Sequence, residues 1–215
     1  FMARYRAARE LAESIAAVAT GAGLPTTALL TDMDQPLART AGNALEVKAA
    51  IDYLTGRARD PRLHEVVMAL GVELLLLGRL AVGRREARAR LQRALDSGAA
   101  TERFAKMVAA LGGPRDLVER PDRHLERAGV VVAVEPQRPG VVGRIDTRAV
   151  GLVVVQLGGG RTRPQDDIDH AVGLTELAGL GDEVGPGRPL GLLHARSEAA
   201  AAQAADALRA AYRVG

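Results

Sequence analysis

The chain has 215 residues, enough for one large or two small domains, and 47% of them are hydrophobic, which is ample for a buried core. Its 29 basic and 26 acidic residues leave a net charge of +3, but the two signs are interspersed and aromatics make up only 2%, which argues against a nucleic-acid partner. There is no cysteine, so disulfides, thiol nucleophiles and thiolate metal sites are excluded.

In chain order, residues 3–20 read as a helix with Ala8, Leu11, Ile15, Val18 and Ala19 on one stripe and Arg4, Arg9, Glu10 and Glu13 on the other. No signal peptide precedes Arg4, so a cytoplasmic protein is expected. Gly21 and Gly23 stop the helix. Thr26 to Met33, rich in β-branched and aliphatic residues, reads as a strand, and Asp32 to Pro36 breaks it into a polar loop. Gly42 and Asn43 open a second helix, apolar at Leu45, Val47, Ile51 and Leu54. Asp32 to Gly42 would then lie at the carboxyl end of a strand, where open α/β sheets place ligands.

Asp60 and Pro61 read as N-cap and first-turn proline of a third helix, apolar at Leu63, Val66, Val67, Leu70, Leu74 and Leu77. Leu75 and Leu76 widen that stripe, so this helix is expected to be buried on most sides. Its apolar run, Val66 to Leu77, contains Glu73 and is too short to span a bilayer, and no membrane partner is expected. Helices follow from about Arg84 to Leu95 and from about Thr101 to Leu111, the latter with Phe104, Val108 and Leu111 inward and ended by Gly112-Gly113-Pro114.

The charged stretch 115–127 reads as a connector. Beyond Gly129, short strands are expected at Val130 to Val134, Val141 to Ile145, Ala171 to Thr175 and Leu190 to His194. Thr147 to Leu157 fits helix or strand by apolar content, and Asp146 as N-cap with Gly158 as C-cap favours helix. Ser197 to Tyr212 is an alanine-rich helix capped by Ser197. The expected fold is α/β: a partial mixed-sheet domain with flanking helices over 1–115, a connector over 116–128, and a small α+β module over 129–215.

Several constellations invite a chemical reading. Asp32 and Asp34 form an Asp-x-Asp pair that could hold a divalent cation, though turn-forming and capping carboxylates outweigh that reading. Gly158-Gly-Gly-Arg161 could cradle a phosphate, but Thr162-Arg-Pro164 follows and no helix begins there to supply its dipole, so a helix-terminating turn is favoured. Asp166, Asp167, Asp169 and His170 read as a solvated turn rather than a metal cluster, since consecutive residues rarely aim at one ion. The histidines His64, His124, His170 and His194 show no ligand spacing, and Ser14, Ser97 and Ser197 sit in no nucleophile elbow.

The strings Thr31-Asp-Met-Asp-Gln-Pro-Leu37 and Ala41-Gly-Asn-Ala-Leu-Glu-Val47 resemble the pyrimidine-nucleoside and thymidine phosphorylases. The resemblance continues through Gly21-Ala-Gly23, Asp60-Pro-Arg-Leu63, Asp146-Thr-Arg-Ala149, Gly158-Gly-Gly-Arg161, Asp169-His-Ala-Val-Gly173 and Leu180-Gly-Asp-Glu-Val184. It implies transfer of a pentosyl group from a pyrimidine nucleoside to inorganic phosphate, and it implies that the chain corresponds to the carboxyl-terminal half of such an enzyme. The family's phosphate-binding loop, its Lys-His-Ser run and its base-gripping residues then lie upstream. The chain by itself is expected to be inactive, its partners being the missing amino-terminal half and, as family members are typically dimers, a second copy.

The resemblance carries two sets of site residues over. Phe1, followed by Met2, matches a phenylalanine that packs against the base. Leu37 and Thr40 match loop positions whose backbone oxygens hold potassium in bacterial family members, but Ala49 stands where the family has its glutamate ligand, and no other cofactor is implied. Gly181-Asp-Glu-Val-Gly-Pro-Gly187 and Pro189-Leu-Gly-Leu-Leu193 also resemble the hairpin of lipoyl and biotin carrier domains, which suggests a barrel-sandwich-like shape. No lysine follows Lys106, so a carrier role is excluded. The alternative to a phosphorylase is a non-catalytic scaffold or interaction module from a truncated or split gene.

Overall fold

The computed structural model describes Met2 and residues 4–215. Packing divides them into two compact units, one formed by the chain up to Asp32 with Pro61–Ser97, the other by Met33–Asp60 with Gly98–Gly215. The content is α/β, with helices beside two small antiparallel sheets.

In the first unit, α1 (Tyr5–Gly21) is braced along its outer face by Arg6–Glu10 at 2.9 Å and Arg9–Glu13 at 2.7 Å, one turn apart. Its apolar stripe of Leu11, Ile15 and Val18 is exposed. The chain from Thr26 to Met33 has no regular secondary structure and belongs to no ladder among the described residues, which corrects the strand expected there. Propensity makes a segment extended; only a paired neighbour makes it a strand.

The helix α3 (Pro61–Leu77) is also less buried than its composition suggests: Met68, Val72 and Glu73 are buried, whereas Val67, Leu70, Leu74 and Leu77 are exposed. It presents one face to α4 (Arg84–Asp96), where Gly71 admits Leu91 so closely that a Cβ would lie 2.8 Å from its Cδ1. Glu73 meets the Arg84 guanidinium at 2.5 Å, which neutralises a carboxylate taken largely out of water.

In the second unit, α2 (Asn43–Thr55) and α5 (Ala99–Ala110) enclose a small core of Ile51, Leu117 and Val118, joined by Val47, Phe104, Val108 and Leu125. A short α6 (Pro121–His124) leads into the main core. There β1 (Val130–Ala133), β5 (Leu192–Ala195) and β3 (Gly173–Thr175) form one sheet in the order β1-β5-β3. The second sheet runs β4-β2-β6, from Glu183–Val184, Gly140–Ile145 and Tyr212–Val214.

Two helices cover these sheets. Asp146 caps α7 (Thr147–Val154) by accepting from the Ala149 amide, and Ser197 caps α8 (Glu198–Ala211) by accepting from that of Ala200, as their side chains predict. After α7 a wider π turn, Val155–Gly159, ends the helix as Gly158 enters positive φ, the C-cap read in the sequence.

Tyr212 closes the core from β6: its hydroxyl, buried, donates to the Ala178 carbonyl at 3.0 Å, and burial pushes its pKa far above the ordinary 10. Tyr212→Phe should remove that bond and leave the carbonyl unsatisfied, lowering stability by about 1 kcal/mol in urea unfolding. No loss would mean that water takes the hydroxyl's place.

Candidate functional site

The loop 33–42, which carries the sequence signature, is fastened to the carboxyl-terminal sheets at successive points. Thr147 donates its hydroxyl to the Met33 carbonyl at 2.7 Å, and Gln35 Oε1 accepts from the Leu180 amide at 3.0 Å. The Leu177 amide donates to the Arg39 carbonyl, and Ala41 and Leu174 exchange both backbone bonds at 2.9 and 2.7 Å. At the start of α2 the Ala44 amide donates to the His170 carbonyl, Asn43 Nδ2 to that of Gly159, and the Gly42 amide to Glu46 Oε1.

Arg39 supplies the charge at the centre of this clasp. Its Nη1 lies 2.8 Å from Asp182 Oδ2 and its Nε 3.7 Å from Asp60. Burial would raise the Asp182 pKa, but the Gly179 amide and the Arg39 guanidinium outweigh it and hold the carboxyl below its ordinary range. Asp182 is therefore an ionised anchor rather than a proton donor.

The other acidic constellations are likewise committed. Asp32 is paired with Arg62, whose Nη1 lies 3.1 Å from Oδ2 and whose Nη2 donates to the Asp32 carbonyl at 2.5 Å. Asp166 Oδ2 accepts from the Thr162 hydroxyl at 2.6 Å and from the Arg163 and Thr162 amides at 2.8 and 3.1 Å, so the donors beyond the glycine run already hold a carboxylate. Asp169 accepts from Arg196 and from the Ala171 amide. Among the described residues no three His, Cys, Asp or Glu side chains gather as a metal site.

Of the site residues expected from sequence, Phe1 lies outside the described residues. Leu37 is exposed and Thr40 half-buried in the clasp loop, while Ala49 lies on α2. Gln35, Arg39 and Arg62 were not read from the sequence. Their partners Leu180, Asp182 and Asp32 lie many positions away in the chain, and no local spacing reports such a pairing.

His194 on β5 is half-buried, with Nε2 2.8 Å from the Thr175 hydroxyl. Burial pushes its pKa below the ordinary 6.5, only partly countered by Glu176. Between the lowered folded pKa and the unfolded one, the unfolded chain binds more protons. The contribution is therefore whole above 6.5 and is lost as pH falls toward the folded value. Urea midpoints taken from pH 7.5 down to pH 5 should fall less steeply in His194→Gln than in the wild type, to about the extent of one titrating group. Parallel profiles would place the titration elsewhere.

Residues 5–101 match the glycosyl transferase family α/β domain, and residues 141–215 match the pyrimidine nucleoside phosphorylase C-terminal domain. Along its whole length the chain is 60% identical to thymidine phosphorylases of Burkholderia orbicola and Burkholderia cenocepacia and 59% identical to that of Burkholderia lata. The chain belongs to the thymidine phosphorylase family. It spans 49% of each of those relatives, about half their length. Within the thymidine phosphorylase framework, the clasp joins the loop 33–42 and the start of α2, which lie inside the α/β match, to residues between Thr147 and Asp182, which lie inside the C-terminal match.

Proposed function

We propose that this chain is part of a pyrimidine-nucleoside phosphorylase. In that reaction a phosphate oxygen bonds to the anomeric carbon of the pentose as the bond from that carbon to the pyrimidine nitrogen breaks. The electron pair leaves on the base, which ends protonated, and the sugar leaves as its 1-phosphate. The observation that carries the reading is 60% identity to a thymidine phosphorylase over every residue of the chain.

The chemistry needs an anion cradle for phosphate and donors for the charge growing on the departing base. In the clasp Asp182 and Asp60 are tied to Arg39 and Glu46 to the Gly42 amide, so their role is framework: Arg39, Asp182 and Gln35 fix the loop 33–42 on the carboxyl-terminal sheets. In this reading Phe1 packs against the base, and the phosphate and base donors come from an amino-terminal half, in the same polypeptide or a partner chain. The assembly is a cytoplasmic homodimer.

A resident potassium ion at Leu37 and Thr40 is poorly supported by the donors. Two neutral carbonyls, a methyl at Ala49 and the cationic Arg39 in the same loop do not make the oxygen-rich, charge-neutralising set that a hard cation draws on. No step is assigned to it.

The test is phosphate-dependent loss of thymidine and uridine, with chain length confirmed by intact mass. The 215 residues alone should be inactive and should gain activity when mixed with a polypeptide carrying the complementary half. Turnover by the chain alone would refute the division of roles. A folded mixture without activity would favour a non-catalytic scaffold.

A further inference from the structure

The carboxyl-terminal module contains an arginine-lined cleft that the clasp does not use. It has a volume of about 320 Å3, and its walls include Gln137, Arg138, Arg209, Tyr212 and Arg213. Arg138 is held open by Nε and Nη2 donating to the Val214 carbonyl at 3.2 and 2.8 Å. Arg209 is held by Nε on the Glu135 carbonyl at 3.0 Å and by Nη1 on Asp206 at 2.8 Å. Two guanidiniums are thus positioned largely by neutral acceptors, and only one meets a carboxylate.

The third arginine is placed against local preference. Arg213 on β6 lies directly opposite Arg144 on β2. Both are exposed, and neither guanidinium makes a hydrogen bond or ion pair among the described residues. Like charges directly opposite in an antiparallel ladder destabilise it. The acids nearby do not cancel the excess: Asp206 is taken by Arg209, and Glu135, one of whose carboxylate oxygens is buried without a hydrogen-bond partner, is not among the cleft's lining residues. A locally unfavourable arrangement beside a cleft is where a site is to be expected.

We propose that this cleft binds a small phosphate-bearing anion, gripped by Arg138, Arg209 and Arg213 with Arg144 adding to the field. Guanidinium forks match phosphate oxygens in shape as well as charge. The volume lies at the low end for small-molecule sites, so it suits a pyrophosphate or a sugar phosphate rather than a polymer. The proposal stands on these residues and not on the phosphorylase reading.

Calorimetric titration of the purified chain at constant ionic strength, with inorganic phosphate, pyrophosphate and ribose 5-phosphate in separate arms, tests it. At least one should bind saturably, and the strongest arm identifies whether free phosphate, a diphosphate or a phosphorylated sugar is the source. Arg213→Gln should weaken binding roughly tenfold, while Arg148→Gln, an exposed arginine of α7 outside the cleft, should leave it unchanged. Without anion, Arg213→Gln should also melt slightly above the wild type, because it relieves the facing charges. Absence of saturable binding, or equal loss in both variants, would overturn the site.

Discussion

Gly173→Ala is expected to lower stability by about 3 kcal/mol or more and to release the clasp loop from β3. Gly173 has φ of +151°, and a Cβ there would lie 2.3 Å from the Ala41 carbonyl oxygen and 2.9 Å from Gly42 Cα. Gly42 faces it with φ of +137°, and its own added Cβ would meet the Val172 carbonyl at 2.6 Å. Both obstacles are backbone, so no rotamer change relieves them. The Ala41–Leu174 bonds depend on this approach, and with them the entry into α2. Gly151→Ala is the control: it lies inside α7 with open space around it, where alanine should be neutral or stabilising by up to about 1 kcal/mol. Urea unfolding of both variants decides the matter. A Gly173→Ala protein within about 1 kcal/mol of wild type would show that the two backbones can part without consequence.

That glycine pair also marks the limit of what the sequence showed. Helix starts were legible where a side chain does the capping, as at Asp146 and Ser197, because the cap and its helix are neighbours in the chain. The strand β5 was legible from its apolar run, whereas β4 and β6 were not: two or three residues carry no period, and Tyr212, the first residue of β6, read as the end of the alanine-rich helix. Thr26 to Met33 failed for the opposite reason, since its local preference is strand-like but no neighbouring ladder pairs with it.

The third helix shows the same gap between composition and partner. Its leucines predicted burial on most sides, yet Leu70, Leu74 and Leu77 are exposed, and the buried positions are Met68, Val72 and Glu73. The candidate site divides likewise. The loop was found from its motif, but its anchors Arg39–Asp182 and Gln35–Leu180 join residues more than a hundred positions apart, and only the folded chain reveals them.

Leu193→Ala should cost about 3 to 5 kcal/mol, near the top of the range for such truncations. Leu193 sits on β5, the middle strand of its sheet, opposite Val132 and Leu174, and is fully buried. The helix packed against β5 is α8, whose buried face is Ala201, Ala204, Ala205, Leu208 and Ala211. Methyl groups on a helix have no rotamers with which to refill a void, and 2% aromatic content leaves few large rings to swing in. The cavity should therefore persist, and its lining should lose contacts outright. Leu152→Ala on the exposed side of α7 should cost less than about 0.5 kcal/mol under the same conditions, which separates burial from helix or strand preference. Because a domain of this kind is stable by only about 5 to 15 kcal/mol, Leu193→Ala should shift the urea midpoint visibly without changing the slope. A cost below about 1.5 kcal/mol would mean that the sheet closes over the gap, and that the module's core is more plastic than its alanine-rich face implies.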